Sequence, residues 1–198
     1  MARPAQPTWR SIWVSTPNVT DVAEVVRVFA RHGVEYVLIG GQAAVVSGAP
    51  VFTYDFDACY ARSDTNLARL VAALKDLDAR LRDARLRVGK MSDEEAEDLP
   101  FRIDVPTLSS GLNFTFNTRA GAVDVLGLPA GVAGFEQLRA NAVEHDIAGE
   151  KVLVASIRDL VSMKQASGRP KDLLMLPTLL ALQDELERRG HELGTRPG

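Results

Sequence analysis

Two short stretches, Tyr36–Gly41 and Thr53–Asp57, constrain the fold of this chain more than any other part of its sequence. The first is an apolar run that ends in paired glycines, and the second places Asp55 and Asp57 one residue apart. Because side chains alternate along a strand, both carboxylates of a strand there would point the same way, while Phe56 would point to the buried face. The pattern therefore predicts a buried strand, a glycine turn and a second strand with an acidic face.

The two neighbouring acids indicate a cation. Carboxylates on one strand face repel and raise one another's pKa unless positive charge lies between them. Mg²⁺ suits such a place, because it takes one or two carboxylates together with substrate phosphates. Gly40 and Gly41 would let a phosphate approach the backbone closely. We interpret the region as a metal-and-nucleotide site; the alternative is a strand with an acidic outer face after a simple turn.

The bulk properties narrow the class of protein. The 198 residues are 46% hydrophobic and 25% charged, as in an ordinary folded domain. A net charge of −3 provides no general basic field, so any nucleic acid would have to bind a local basic patch. Cys59 is the single cysteine, which excludes an intramolecular disulfide and favours a reducing compartment. Its expected role is core packing.

The chain is expected to be cytoplasmic. No apolar run approaches the length of a membrane span, and the first 13 residues lack the apolar centre of a signal peptide. We divide the chain into an N-terminal arm (1–18), which docks through Trp9 and Trp13, a core (19–155), a C-terminal helical segment (156–190) and a tail (191–198).

Periodicity predicts an α+β fold, a small mixed sheet packed with helices. The predicted helices are 20–33, with Thr20 as N-cap, 41–47, 64–82, 134–139, 156–168, and a last helix from 170 that Pro177 kinks or divides. The predicted strands are 34–39, 53–60, 112–118, 122–126, 143–147 and 151–155. A basic cluster (Arg80, Arg82, Arg85, Arg87, Lys90) is interpreted as a solvated helix end rather than an RNA-facing patch, and residues 91–98 as a loop.

Asp124 is a lone carboxylate within the apolar strand 122–126. A buried acid without a partner is costly. If this strand is a neighbour of the one with Asp55 and Asp57, the three acids would share a pair of cations. The alternative is a surface-facing acid on an edge strand.

The paired glycines followed by Asp-x-Asp resemble the signature of the nucleotidyltransferase superfamily, whose members share a polymerase-β-like core. The order of later segments is similar to that of small bacterial nucleotidyltransferases of the AbiEii and MenT type. These segments are 99–104, 112–116, 123–127, 155–160, Met163-Lys164 and 168–172.

The resemblance implies roles for particular residues. Gly40 and Gly41 would border the triphosphate, and Asp55, Asp57 and Asp124 would hold two Mg²⁺ ions, with Mn²⁺ as an alternative. Asp124 would also orient or deprotonate the attacking hydroxyl. The candidates to neutralise or organise triphosphate charge are Lys151, Lys164, Arg169, Lys171 and Asp172, for which helix-end charges in water are the alternative.

The implied activity is transfer of a nucleoside monophosphate from an NTP to an acceptor hydroxyl. In the AbiEii and MenT group the acceptor is the 3′ end of tRNA, and several members are toxins that block translation, which implies tRNA and an antitoxin protein as partners. The alternatives are modification of an antibiotic or a partner protein, and a non-catalytic, antitoxin-like binding module.

Two further expectations concern the residues before Asp55. Relatives often have Arg two residues before the threonine, where this chain has Val51, so a phosphate contact is either lost or supplied by Arg62 or Arg119. Thr53 would share the strand face of the acids, so that it could contact nucleotide. Its phosphorylation would add about −2 of charge there and repel triphosphate.

Overall fold

The computed structural model describes residues 19–82 and 102–194, in which seven helices surround one mixed sheet of seven strands. The helices are α1 (Val22–Arg31), α2 (Gly40–Val46), α3 (Asp64–Asp76), α4 (Val105–Ser110), α5 (Phe135–Asn141), α6 (Ile157–Ser167) and α7 (Pro170–Gly194). The strands are β1 (Tyr36–Ile39), β2 (Asp55–Tyr60), β3 (Arg80–Leu81), β4 (Asn113–Thr118), β5 (Gly121–Leu126), β6 (Val143–Ile147) and β7 (Glu150–Val154).

The strand order across the sheet is β3-β4-β5-β2-β1-β7-β6. β2 pairs with β5 and β1 with β7 in parallel, and the remaining neighbours are antiparallel. The predicted α+β fold with a mixed sheet is therefore confirmed. β2 lies at the centre, where both of its neighbours cover its edges.

The core on one face of the sheet is aromatic. Phe29 of α1 meets Phe56 of β2 and Tyr36 of β1, with ring centroids 5.8 and 5.1 Å apart and edge-to-face geometry. Phe56 is fully buried, as the alternation predicts. Cys59 is also buried, and burial raises the pKa of its thiol to about 12, which is consistent with the predicted packing role.

The predicted N-cap of α1 is wrong by one residue. Asp21 is the N-cap, since its carboxylate accepts a hydrogen bond from the Glu24 N–H at 3.0 Å. Thr20 is buried instead, and its hydroxyl donates to the Tyr54 carbonyl (2.6 Å) and accepts from the Ala122 N–H (2.9 Å). The hydroxyl that would otherwise cap the helix is therefore bonded to the backbone of Tyr54, just before β2, and of Ala122 in β5.

The predicted helix 64–82 is too long. It ends at Asp76, and Asp78 has a positive φ of 51°, which interrupts the helical backbone. Arg80 and Leu81 then pair with Asn117 and Phe116 of β4. The apolar spacing of this segment fits a helix, but an edge of the sheet binds the backbone.

The interpretation of Arg80 and Arg82 as a helix end is therefore wrong for both residues. The rest of the basic cluster, the loop 91–98 and the N-terminal arm with Trp9 and Trp13 lie outside the described residues.

Most of the remaining elements were predicted with small shifts in their bounds, but α4 was not predicted. The β4–β5 and β6–β7 hairpins are present, and Ser156 caps α6 by accepting from the Asp159 N–H. α7 passes Pro177 as one helix, so the predicted alternative of a division is wrong. Among the described helices, none combines the length and the apolar character that a membrane crossing requires.

Candidate active site

Three carboxylates meet where β2 and β5 run side by side. In the register of these parallel strands Asp57 lies opposite Asp124, and Asp55 lies two residues earlier on β2. Each of the three side chains offers an oxygen within 4.8 Å of the others. The predicted adjacency of the two acidic strands is therefore confirmed.

The electrostatics of the cluster are unfavourable without a cation. Burial, followed by the charges of Asp55 and Asp124, raises the pKa of Asp57 to about 7. Burial, opposed by Arg82 and aided by Asp55, raises the pKa of Asp124 to about 6. At neutral pH the cluster therefore binds a proton or a metal ion more readily than ordinary carboxylates do.

The donor set suits a hard divalent cation. All three side chains offer carboxylate oxygens, which Mg²⁺ and Mn²⁺ prefer over sulfur or nitrogen ligands. The Thr53 hydroxyl donates to Asp55 Oδ1 at 2.6 Å and so orients one of these ligands. Asp55, Asp57 and Asp124 together could hold Mg²⁺ or Mn²⁺.

The paired glycines are adapted to this cluster by close packing. Gly40 has a φ of +68°, and a Cβ there would overlap the carboxylate of Asp57. A Cβ on Gly41 would lie 2.6 Å from Cβ and Oγ1 of Thr53. The chain can pass from β1 into α2 behind the acids only because both positions lack side chains.

Cationic side chains from the junction of α6 and α7 line the same cavity. Asp172, only 1% exposed, accepts from Lys164 Nζ at 2.6 Å, Ser167 Oγ at 2.5 Å and Arg169 Nε at 2.6 Å. Burial raises the pKa of Asp172, but these three hydrogen bonds outweigh it and lower the pKa to about 2. Asp172 therefore stays ionised and anchors two cations at the cavity.

Lys171 lies beside this network but forms no ion pair with the described part of the chain. Its charge nevertheless lowers the pKa of both Asp57 and Asp124, so it acts across the cavity. It is exposed and lines the cavity wall. An anion in the cavity would therefore meet Lys171 without first displacing an internal partner.

The cavity has a volume of about 350 Å³. It unites most of the predicted site residues, which lie in or next to α2, β2, β5, α6 and α7. Those that line it are Gly41, Thr53, Asp55, Asp57, Asp124, Lys164, Arg169, Lys171 and Asp172. Residues more than a hundred positions apart in sequence therefore share one space with an acidic and a basic side.

Other predicted residues do not line this cavity. Gly40 lies behind Asp57, and Lys151 lies on the β6–β7 hairpin, where it is 69% exposed and pairs with Glu144 at 3.3 Å. Arg62 donates to backbone carbonyls of residues 109 and 111, and Arg119 pairs with Glu24 and Asp76. Neither arginine lines the cavity that contains the acids.

The structure also adds residues that the sequence did not identify. Arg82 Nη2 donates to Asp124 Oδ1 at 2.7 Å and to the Phe116 carbonyl at 3.2 Å. Phe52, Tyr54 and Met175 line the cavity beside the acids. The sequence shows both the basic cluster around Arg82 and the lone acid Asp124, but it does not show that these two residues, 42 positions apart, form an ion pair.

Comparison with known proteins identifies the fold. The sequence matches no family model and none of the curated protein sequences compared with it. Among solved structures, the chain is similar to the lincosamide antibiotic adenylyltransferase LnuA in its lincomycin-bound crystal form. The TM-score is 0.52 at 14% identity, over 83% of this chain and 99% of LnuA. The chain therefore shares the fold of this adenylyltransferase.

Proposed function

We propose that this protein is a metal-dependent nucleotidyltransferase, which transfers a nucleoside monophosphate from an NTP to an acceptor hydroxyl. The observation that carries the proposal is the cavity with three convergent carboxylates on one side and Lys164, Arg169 and Lys171 on the other. A metal-bound triphosphate needs both sides: oxygen ligands for the metal and cations for the phosphates. The fold of LnuA supports the same class of reaction.

Each group of site residues would have a separate role in the transfer. Asp55, Asp57 and Asp124 would hold metal, and Lys164, Arg169 and Lys171 would bind the phosphates. Asp124, with its raised pKa, would orient the acceptor hydroxyl and accept its proton. The acceptor oxygen then bonds to the α-phosphorus, the α–β phosphoanhydride bond breaks and pyrophosphate leaves. When bound, two Mg²⁺ ions supply charge neutralisation at the attacking and leaving oxygens. Lys151 has no part in this scheme, because it pairs with Glu144 outside the cavity.

The acceptor we propose first is the 3′ end of tRNA, with the protein acting as a toxin under the control of an antitoxin. The motif order shared with the AbiEii and MenT group supports this acceptor. Modification of an antibiotic has comparable support, since the structural neighbour LnuA is an adenylyltransferase of lincosamides. A non-catalytic binding module fits less well, because it has no need of three mutually repelling acids.

One assay tests the activity and separates the acceptors. The protein is incubated with each α-labelled NTP and Mg²⁺, together with total tRNA in one arm and lincomycin in another. We expect label on the acceptor, and we expect Asp55→Ala to reduce transfer by about a thousandfold or more because a metal ligand is removed. Full activity of Asp55→Ala, with its fold verified by circular dichroism, would exclude the proposed mechanism.

The site also suggests a regulatory modification at Thr53. The Thr53 hydroxyl lies 2.6 Å from Asp55 Oδ1, so a phosphate there would add about −2 of charge beside the acid cluster. We expect stoichiometric phosphorylation of Thr53 to abolish NTP binding. The measurement compares nucleotide affinity and transfer by the phosphorylated protein with those of Thr53→Val, which lacks the hydroxyl but adds no charge. Retained transfer by the phosphorylated protein would contradict this regulation.

A further inference from the structure

Phe52 and Tyr54 are the two exposed aromatic side chains of residues 19–82 and 102–194. Phe52 is 69% exposed and Tyr54 is 45% exposed, and their rings contact edge to face with centroids 4.8 Å apart. Large apolar groups in water are unfavourable, and a contiguous pair is more informative than a single one. Neither ring belongs to the core, so the pair requires another explanation.

The backbone that carries the two rings is held firmly against the acid cluster. The Tyr54 carbonyl accepts hydrogen bonds from both the N–H and the hydroxyl of Thr20, at 3.1 and 2.6 Å. Thr53, which lies between Phe52 and Tyr54 in sequence, packs on Gly41 and donates a hydrogen bond to Asp55. The aromatic pair is therefore positioned by the same contacts that orient a predicted metal ligand.

Both aromatic residues line the cavity that contains the carboxylates and cations, and Met175 of α7 adds a further apolar side chain. A ligand for this cavity must combine three chemistries: anionic groups for the cations, oxygens for a metal and an apolar part. A nucleoside triphosphate has all three, since its flat base is what remains after the phosphates have been bound. Bases stack on aromatic side chains whatever their identity, because every base has a π-face.

We propose that Phe52 and Tyr54 form the nucleobase subsite of this protein, on which the base of the NTP stacks. This inference rests on the proposed function. The NTP is preferred over the acceptor as occupant because Lys164, Arg169 and Lys171, which would bind its phosphates, line the same cavity as the two rings. The aromatic pair is then available to the base, which neither the cations nor the carboxylates would bind.

The test distinguishes the contribution of the base to binding from that of the phosphates. Calorimetric titration of the full chain with Mg²⁺ compares α,β-methylene analogues of the four NTPs with inorganic tripolyphosphate, which has no base. We expect Phe52→Ala with Tyr54→Ala to weaken binding of the tightest nucleotide by about fivefold or more, since stacking contributes on that order per base. Affinity for tripolyphosphate should change by less than about twofold, and Phe52→Tyr with Tyr54→Phe should bind as wild type because both rings remain.

The matched control is Leu174→Ala, which removes an exposed apolar side chain (82% exposed) outside the cavity and should change neither affinity. Unchanged nucleotide affinity in the double alanine variant would overturn the inference and move the aromatic pair to another ligand. An equal loss for nucleotide and tripolyphosphate would overturn it too, since the variant would then have disturbed the phosphate site. If the wild type binds neither compound, the proposed function itself fails.

Discussion

At the scale of single residues, the site depends on the absence of a side chain at Gly40 as much as on the carboxylate of Asp57. Gly40 adopts a φ of +68°, and any side chain there would occupy the space of the Asp57 carboxylate. Asp57 can therefore lie half-buried beside the turn only because position 40 has no Cβ. The pKa of Asp57, raised to about 7, reflects that burial first and its two acidic neighbours second.

Arg82 is the residue whose role changes most between sequence and structure. Its guanidinium binds one oxygen of Asp124 and leaves the second oxygen for another ligand. No group of the described residues accepts a hydrogen bond from its buried Nε, so the side chain is held through Nη2, which donates to Asp124 and to the Phe116 carbonyl. We therefore regard Arg82 as a positioning residue for Asp124.

We expect Arg82→Met to weaken Mn²⁺ binding by about tenfold, because partners that orient a metal ligand typically contribute on that order. Loss of the guanidinium also removes a charge that lowers the pKa of Asp124, so more of this ligand would be protonated. Mn²⁺ affinity is measured by electron paramagnetic resonance without nucleotide. The control is Arg80→Met, two residues earlier on β3, which should bind as wild type. Equal or tighter binding by Arg82→Met would refute the positioning role.

At the scale of elements, the junction of α6 and α7 brings the cations to the acids. Gly168 ends α6 in the left-handed conformation (φ +61°), and Pro170 begins α7 two residues later. This tight connection folds Asp172 back onto Lys164, eight residues earlier, and buries the carboxylate. The junction acts as one unit, because a single anion fixes two cations.

We expect Asp172→Asn to raise the KM for NTP by about tenfold and to lower the Tm, because Lys164 and Arg169 lose the charge that holds them. Steady-state kinetics and a thermal melt measure the two effects. Asp184→Asn is the matched control, since Asp184 is an exposed acid on the same helix. A variant with wild-type KM would show that the cations reach the phosphates without this anchor.

At the scale of the whole molecule, the acid cluster couples the stability of the fold to pH and to metal binding. Asp57 and Asp124 have folded-state pKa values of about 7 and about 6, above the value of 3.8 for an ordinary aspartate. Between pH 4 and 7 the folded state therefore holds more protons than the unfolded state, and its stability falls as the pH rises. Asp172 has the opposite sign, but its contribution is lost only as the pH falls from about 4 towards 2.

We expect the protein in EDTA to have a Tm lower by about 5 °C at pH 8 than at pH 5.5, because each kcal/mol shifts the Tm of a chain this size by a few degrees. Mg²⁺ should raise the Tm more at pH 8, where both acids are ionised and free to bind it. Differential scanning calorimetry measures both effects, and Asp57→Asn should flatten the pH dependence. A Tm that rises with pH in EDTA would contradict the raised pKa values.

Local sequence patterns are sufficient to predict a large part of the fold of this protein. The alternation around Asp55 and Asp57, the glycines, the β4–β5 hairpin and the Ser156 cap depend on near neighbours in sequence, and periodicity and capping chemistry are sufficient to predict them. The resemblance carried by these motifs also led to the site residues, nine of which line one cavity. The strand β3 was missed because its apolar spacing fits a helix equally well.

Only the tertiary structure decided which distant groups meet. The parallel pairing of β2 with β5, the contact of Arg82 with Asp124 and the exposed pair Phe52–Tyr54 beside the cavity all depend on long-range packing. Lys151 and Lys164 are both lysines near predicted element ends, yet one is solvated and the other borders the acids. The sequence determines that a side chain is charged, but the tertiary fold determines which partner lies next to that charge.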